Sequence, residues 1–324
     1  MQGQRTPTLH SLWAKLQARL RPVYPRVAIE LSFDRWSLLR GERTPQGISL
    51  RRARSVPLAP EAITLGGPAG CSFDLERLRA GLSELLEGEL EGPHRVTLLL
   101  PDAIARATLL EFESLPARRE ERIELLRWKL KRITPFKIED ARISYQELAP
   151  NHGHRRLLAV AAPTGAVLPL EQLLESFELE PVLVDLSTPN LWNLMAELAT
   201  DHDLLLINRD VGFFAVSYFQ AGKLCFYRCK PSPEPTDVDA SDYLLQEIRA
   251  SQLYLEERLE LPSPKDYVVR DAVGSGLERA LHEQFGAAVE SVDPHRLVDL
   301  GGCAHLPPAQ LQRLLPLMGA LQGR

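Results

Sequence analysis

The sequence is short of most features that would assign a chemistry at a glance. Four cysteines, Cys71, Cys225, Cys229 and Cys303, occur in 324 residues, and no two stand in a CxxC pair. So sparse a set in so long a chain argues against a disulfide framework. The eight histidines are scattered, which leaves no metal-ligand spacing. No apolar run approaches the roughly 20 residues that span a bilayer; stretches such as Val96–Leu100 and Leu204–Ile207 have strand length. The N-terminus carries no apolar signal-peptide core before a small-residue cleavage site, so the expected compartment is the cytoplasm. Neither sign of charge dominates: the formal net charge is -5, and nothing global points to nucleic acid. No Ser/His/Asp, Cys/His or paired-carboxylate arrangement is specific enough for hydrolysis. No repeat at a period of 20–50 residues is visible.

What is present is an ordinary globular composition, 44% hydrophobic and 25% charged, long enough for two lobes. Residues 8–21 read as an amphipathic helix, with Leu9, Leu12, Trp13, Leu16 and Leu20 on one face. Arg5, Lys15, Arg19 and Arg21 make it basic, so it suits either an anionic membrane or the body of the protein. Strands are expected at Val27–Leu31, Trp36–Arg40 and Ile48–Val56, then a Pro- and Gly-rich loop over 57–71. A helix follows from Leu75 to Leu86, and Val96–Leu100 and Ala107–Phe112 read as strands. Arg118 to Ile133 is the clearest helix, striped by Ile123, Leu126, Leu130 and Ile133 and closed by Pro135. Nine basic and five acidic residues lie between Arg118 and Arg142, and most should form a solvated face. Further on, Leu204–Ile207, Phe213–Phe219 and Leu224–Cys229 read as successive strands, the last two joined at Ala221-Gly222. A long helix over Leu244–Leu259 and a closing helix over Gln310–Leu321 complete the pattern.

One stretch carries a family likeness. Leu115-Pro116, the charged helix, Ile133-Thr134-Pro135-Phe136, Glu139-Asp140 and Ile143-Ser144-Tyr145-Gln146 together resemble the PilM family of type IV pilus assembly proteins. The resemblance implies an α/β, actin-like (ribonuclease H-like) two-lobed fold with an inserted FtsA-type small subdomain. It divides the chain into a basic helix at 1–25, the first lobe at 26–93 and 159–200, the small subdomain at 94–158, and the second lobe at 201–324. The weaker agreement elsewhere extends the likeness over about residues 26–321.

Actin-like ATPases hold phosphate with glycine loops and position Mg²⁺ with a carboxylate, because backbone N–H groups must approach closely. PilM-like proteins read Asp-Ile-Gly-Ser-Ser in the first loop, where this chain has Glu30-Leu31-Ser32-Phe33-Asp34. In the second loop, Asn208-Arg209-Asp210 stands for Asp-Ile-Gly, and Asp210 is expected to repel phosphate. On the adenosine side, only Gly274 and Gly276 remain of a glycine stretch. The resemblance therefore implies a pseudo-ATPase rather than an enzyme, with no cofactor expected; ATP with Mg²⁺ fits only if the loops lie elsewhere. It also implies a cytoplasmic scaffold, peripheral at the inner membrane, holding the cytoplasmic tail of a PilN-like protein in a cleft against the small subdomain. Trp128, Ile133, Phe136 and Tyr145 are the residues expected to bind that tail. An active actin-like ATPase and a GspL-like secretion component remain alternatives, and a homo-oligomer is left open.

Overall fold

The computed structural model describes residues 24–44, 47–66, 70–90, 92–151, 153–195, 203–233, 240–274 and 276–323. The amphipathic stretch at 8–21 lies outside them. The first strand, β1 (Val27–Leu31), is buried along its whole length, as its near-continuous apolar run requires of a central strand. It pairs antiparallel with β2 (Arg35–Thr44), which pairs with β3 (Gly47–Pro57). The stretch expected as loop instead holds a short hairpin, β4 (Ile63–Leu65) and β5 (Cys71–Phe73). Three residues a side suffice because Ile63 and Phe73 pack into the first-lobe core. Helix α1 (Leu75–Leu86) starts at Asp74, whose carboxylate accepts the Arg77 N–H at 3.1 Å. Its buried face is Leu78, Leu82 and Leu85.

Strand β6 (His94–Leu100) lies parallel to β1. It therefore belongs to the first lobe, which corrects the expected boundary at 94. The inserted unit begins after it, with β7 (Arg106–Phe112), α2 (Arg119–Leu130), β8 (Ala141–Asn151) and β9 (His154–Pro163). These strands form their own sheet in the order β7-β9-β8, over a core containing Phe112, Leu126, Leu130, Phe136 and Leu157. Helix α2 stops at Leu130, short of the expected Ile133. Both Ile133 and Thr134 then turn their N–H groups onto the Leu130 carbonyl, because a residue before proline disfavours the helical conformation.

The chain returns through α3 (Thr164–Glu175) and the parallel strand β10 (Leu179–Leu186) to α4 (Ser187–Met195). The second lobe repeats this plan. It runs β11 (Leu204–Asp210), β12 (Phe213–Gln220), β13 (Lys223–Pro231), α5 (Ala240–Arg258), β14 (Asp266–Asp271), α6 (Leu277–Phe285), β15 (Ala288–Ser291) and α7 (Pro308–Gln322). The sheets have orders β3-β2-β1-β6-β10 and β13-β12-β11-β14-β15. Each is three antiparallel strands followed by two parallel ones reached through helices.

Helix α7 was expected to close the second lobe. Its last turns, Leu314 to Leu321, are buried on every side, so it lies between the lobes instead. One core gathers Ala28, Leu39 and Leu99 from the first sheet, Leu204 and Leu206 from the second, and Leu191 and Leu315 from α4 and α7. The two helices cross at Gly319, where a Cβ would fall 1.8 Å from the Asn190 carbonyl oxygen. No helix among the described residues is long and apolar enough to cross a membrane.

Candidate functional site

The ends of β1 and β11 meet at the junction of the lobes, and most of the residues singled out for the phosphate loops meet there too. Glu30, Ser32, Asn208 and Asp210 are all buried. Asp210 does not stand as a bare repelling charge, which corrects the expectation from its sequence. Arg35, from the start of β2 in the opposite lobe, donates from its two Nη atoms to both Asp210 oxygens at 3.0 and 2.9 Å. Arg270, on β14, reaches the same carboxylate at 2.9 Å. Burial alone would raise the Asp210 pKa, but Arg35 and then Arg270 outweigh it, and the carboxyl is held well below its usual range.

Around this centre the polar groups are tied to one another rather than offered to a ligand. Arg270 donates to the Asn208 amide oxygen at 2.7 Å and, from Nε, to the Gln312 carbonyl of α7 at 2.9 Å. Asn208 donates to Thr188 Oγ1 at 2.7 Å, and the Thr188 N–H to Asp102 at 3.0 Å. Tyr227 of β13 donates to the other Asp102 oxygen at 2.6 Å. The chain of bonds thus crosses between the lobes three times, at Arg35–Asp210, at Asn208–Thr188 and at Tyr227–Asp102. Satisfaction is incomplete at Arg35, whose Nε has no hydrogen-bond partner, and at Glu30. One oxygen accepts from Ser187 Oγ at 2.7 Å, while Oε2 has no hydrogen-bond partner. Burial pushes the Glu30 pKa up despite the nearby Arg270 and Arg35.

Two further contacts lie near the positions expected to hold a nucleotide. A Cβ on Gly212, whose φ is +80°, would lie 2.7 Å from Phe33 Cδ2, so the hairpin tips of the two lobes are already in contact. On the adenosine side, the Val273 and Gly274 N–H groups both donate to Asp271 Oδ1 at 3.1 Å. Gly274 and Gly276 have positive φ and nothing near their Cβ positions; they shape a turn into α6 and do not join the buried cluster. The sequence reading missed Arg35, Arg270, Asp102 and Tyr227. The available signal was an arginine inside each of two strands that otherwise read as buried.

The residues expected to bind a tail are dispersed. Phe136 is buried in the small-subdomain core. Tyr145 is half-buried, with its hydroxyl 3.5 Å from Arg122 Nη1. Trp128 and Ile133 are exposed. None of the four lines the groove that separates the subdomain from the first lobe. That groove, about 550 Å³, is bounded by Ile143 and Ser144 of β8, Val160 of β9, and Val182 and Val184 of β10. Arg142 and Glu171 pair across it at 2.6 Å. Strands β8 and β10 are each the last strand of their sheet, so the groove lies between two strand edges. A second hollow of about 330 Å³, bordered by Arg106, Tyr227 and Lys230, shares Ala105 with the first.

Comparison with solved structures agrees with this architecture. PilM in a PilM–PilN type IV pilus biogenesis complex superposes with a TM-score of 0.74 at 21% identity, over 93% of this chain and 99% of that one. A Bacteroides thetaiotaomicron protein with an actin-like ATPase fold and unknown function gives 0.53 at 13% identity, over 90% and 96%. The chain has the actin-like fold. No protein-family model matches the sequence, and no curated protein matches it. The expectation of a two-lobed actin-like fold holds; the roles of the site residues rest on the geometry above.

Proposed function

We propose that this protein is a scaffold for a pilus-type assembly platform at the cytoplasmic face of the inner membrane, and that it holds the cytoplasmic tail of a PilN-like protein. The observation that carries the reading is the groove between β8 and β10. An extended segment lying there finds an open strand edge on either side, which supplies main-chain hydrogen bonds. Val160, Val182 and Val184 supply apolar contact. The likeness to PilM in its complex with PilN supports the same assignment. Part of the scaffold reading is that the nucleotide cleft is closed by the Arg35–Asp210–Arg270 cluster and does not take Mg-ATP.

The test is fluorescence anisotropy with a labelled peptide from the cytoplasmic tail of a PilN-like protein. Ser144→Arg, at an exposed groove position, should weaken binding by at least about tenfold, or about 1.4 kcal/mol. Trp128→Ala, away from the groove, should leave it unchanged. Equal binding by Ser144→Arg and the parent would remove the groove from the proposal. Calorimetric titration with Mg-ATP tests the closed cleft separately. A low-micromolar Kd would return the active-ATPase alternative and leave the tail-binding assignment standing.

A further inference from the structure

Residues 127–139 hold five basic side chains and one acid, in a chain whose formal net charge is -5. The acid, Glu139, is taken by Lys131 at 2.7 Å, and Arg127 lies near Glu124 at 3.5 Å. Lys129, Arg132 and Lys137 make no ion pair with the described residues. Among these cations stand Trp128, 64% exposed, and Ile133, 39% exposed. Lys129 Nζ sits 5.4 Å from the Trp128 ring centroid, so charge and indole share a side of the helix end. The next turn forms an open dent of about 340 Å³ bordered by Lys131, Lys137, Pro135 and Phe136.

We propose that the C-terminal end of α2 and the turn behind it form a patch that docks on an anionic bilayer surface. Tryptophan suits the interface, where its ring is in an apolar layer and its N–H in a wet one. Lysine and arginine beside it are drawn to acidic headgroups. The shape favours a bilayer over an acidic protein. A stable protein interface covers about 800 Å² per partner with close complementarity, whereas here two apolar side chains protrude singly among cations beside a shallow, open dent. The acidic remainder of the chain would be repelled by the same surface, which orients the molecule with this patch inward. Arg119, at the other end of α2, borders the tail groove, about 14 Å away at 1.5 Å per residue. A tail emerging from the membrane and a patch lying on it are therefore compatible, although the patch is inferred independently of tail binding.

The experiment is co-sedimentation of the full-length protein with vesicles of phosphatidylcholine, with and without phosphatidylserine. Residues 8–21 can add their own affinity, so the readout is the difference between variants. Lys129→Glu/Arg132→Glu/Lys137→Glu should lower binding to the phosphatidylserine vesicles by at least about tenfold, with thermal melting and tail-peptide affinity unchanged. Iodide quenching, compared between the parent and Trp128→Phe, should show Trp128 becoming shielded when those vesicles are added. The proposal is overturned if the triple variant binds like the parent or if Trp128 stays open to iodide. Protection of Trp128 by soluble polyglutamate but not by vesicles would also overturn it, in favour of an acidic protein surface.

Discussion

The two lobes share one plan, three antiparallel strands followed by two parallel ones, yet they treat their buried carboxylates in opposite ways. Asp210, at the end of β11, is bound by two arginines and held ionised. Glu30, near the end of β1, keeps one oxygen unpartnered, and burial drives it toward the neutral form. Position in the fold does not set this difference, since both strands lead their sheets and both carboxylates are buried. The arginines set it: the forks of Arg35 and Arg270 close on Asp210, and Glu30 is left with a serine hydroxyl. The lesson is that this cleft is filled from within. Arg35 from the first lobe and Arg270 from the second both turn onto Asp210.

The largest effect expected from this asymmetry is at Asp210. Asp210→Asn strands two buried guanidinium groups and should cost about 3–5 kcal/mol in urea unfolding at neutral pH. Replacing Arg35, Asp210 and Arg270 together with apolar residues should recover most of the loss, because a whole buried ionic cluster is often exchangeable for packing. A loss below about 1 kcal/mol, the size typical of an exposed pair, would mean that the cluster does not hold the lobes. Tyr227→Phe comes next. It removes the 2.6 Å hydrogen bond to Asp102 at a cost of about 1–3 kcal/mol, and a neutral result would mean that this bond does not hold the lobes together.

Glu30→Gln should act the other way and raise stability at neutral pH, because burial disfavours the ionised carboxylate there. The sign follows from the direction of each shift. Glu30 is raised in the folded state, so its ionisation opposes folding as pH climbs above the unfolded value of about 4.3. The advantage of glutamine should therefore appear above that pH and level off once the folded-state pKa is passed. Asp210 is depressed, so its contribution is complete above its unfolded value of about 3.9 and is lost as pH falls further. Urea titrations of both variants at several pH values would show opposite slopes. Parallel slopes would mean that the two carboxylates are coupled as one unit.

Much of the scaffold was legible from periodicity. The strands at Val27–Leu31 and Phe213–Phe219 and the helix at Leu75–Leu86 appear where alternation or a three-four spacing placed them. The boundary of the inserted unit was not, because β6 and β7 read alike as short apolar runs and only pairing separates them. Where the residues expected to bind a tail would fall was not legible either. An aromatic such as Phe136 reads the same whether it fills a core or lines a groove, and here it fills a core.

The local pattern of this sequence determined the elements and their order and the concentration of positive charge from Arg127 to Lys137. Those properties depend on neighbours a few residues away. Tertiary structure alone decided that Arg35 meets Asp210 across 175 positions of sequence, that α7 runs between the lobes, and that β8 and β10 leave their edges facing one groove. Each is a contact between segments remote in the chain. A side chain's role there depends on what folding brings against it, which no local spacing encodes.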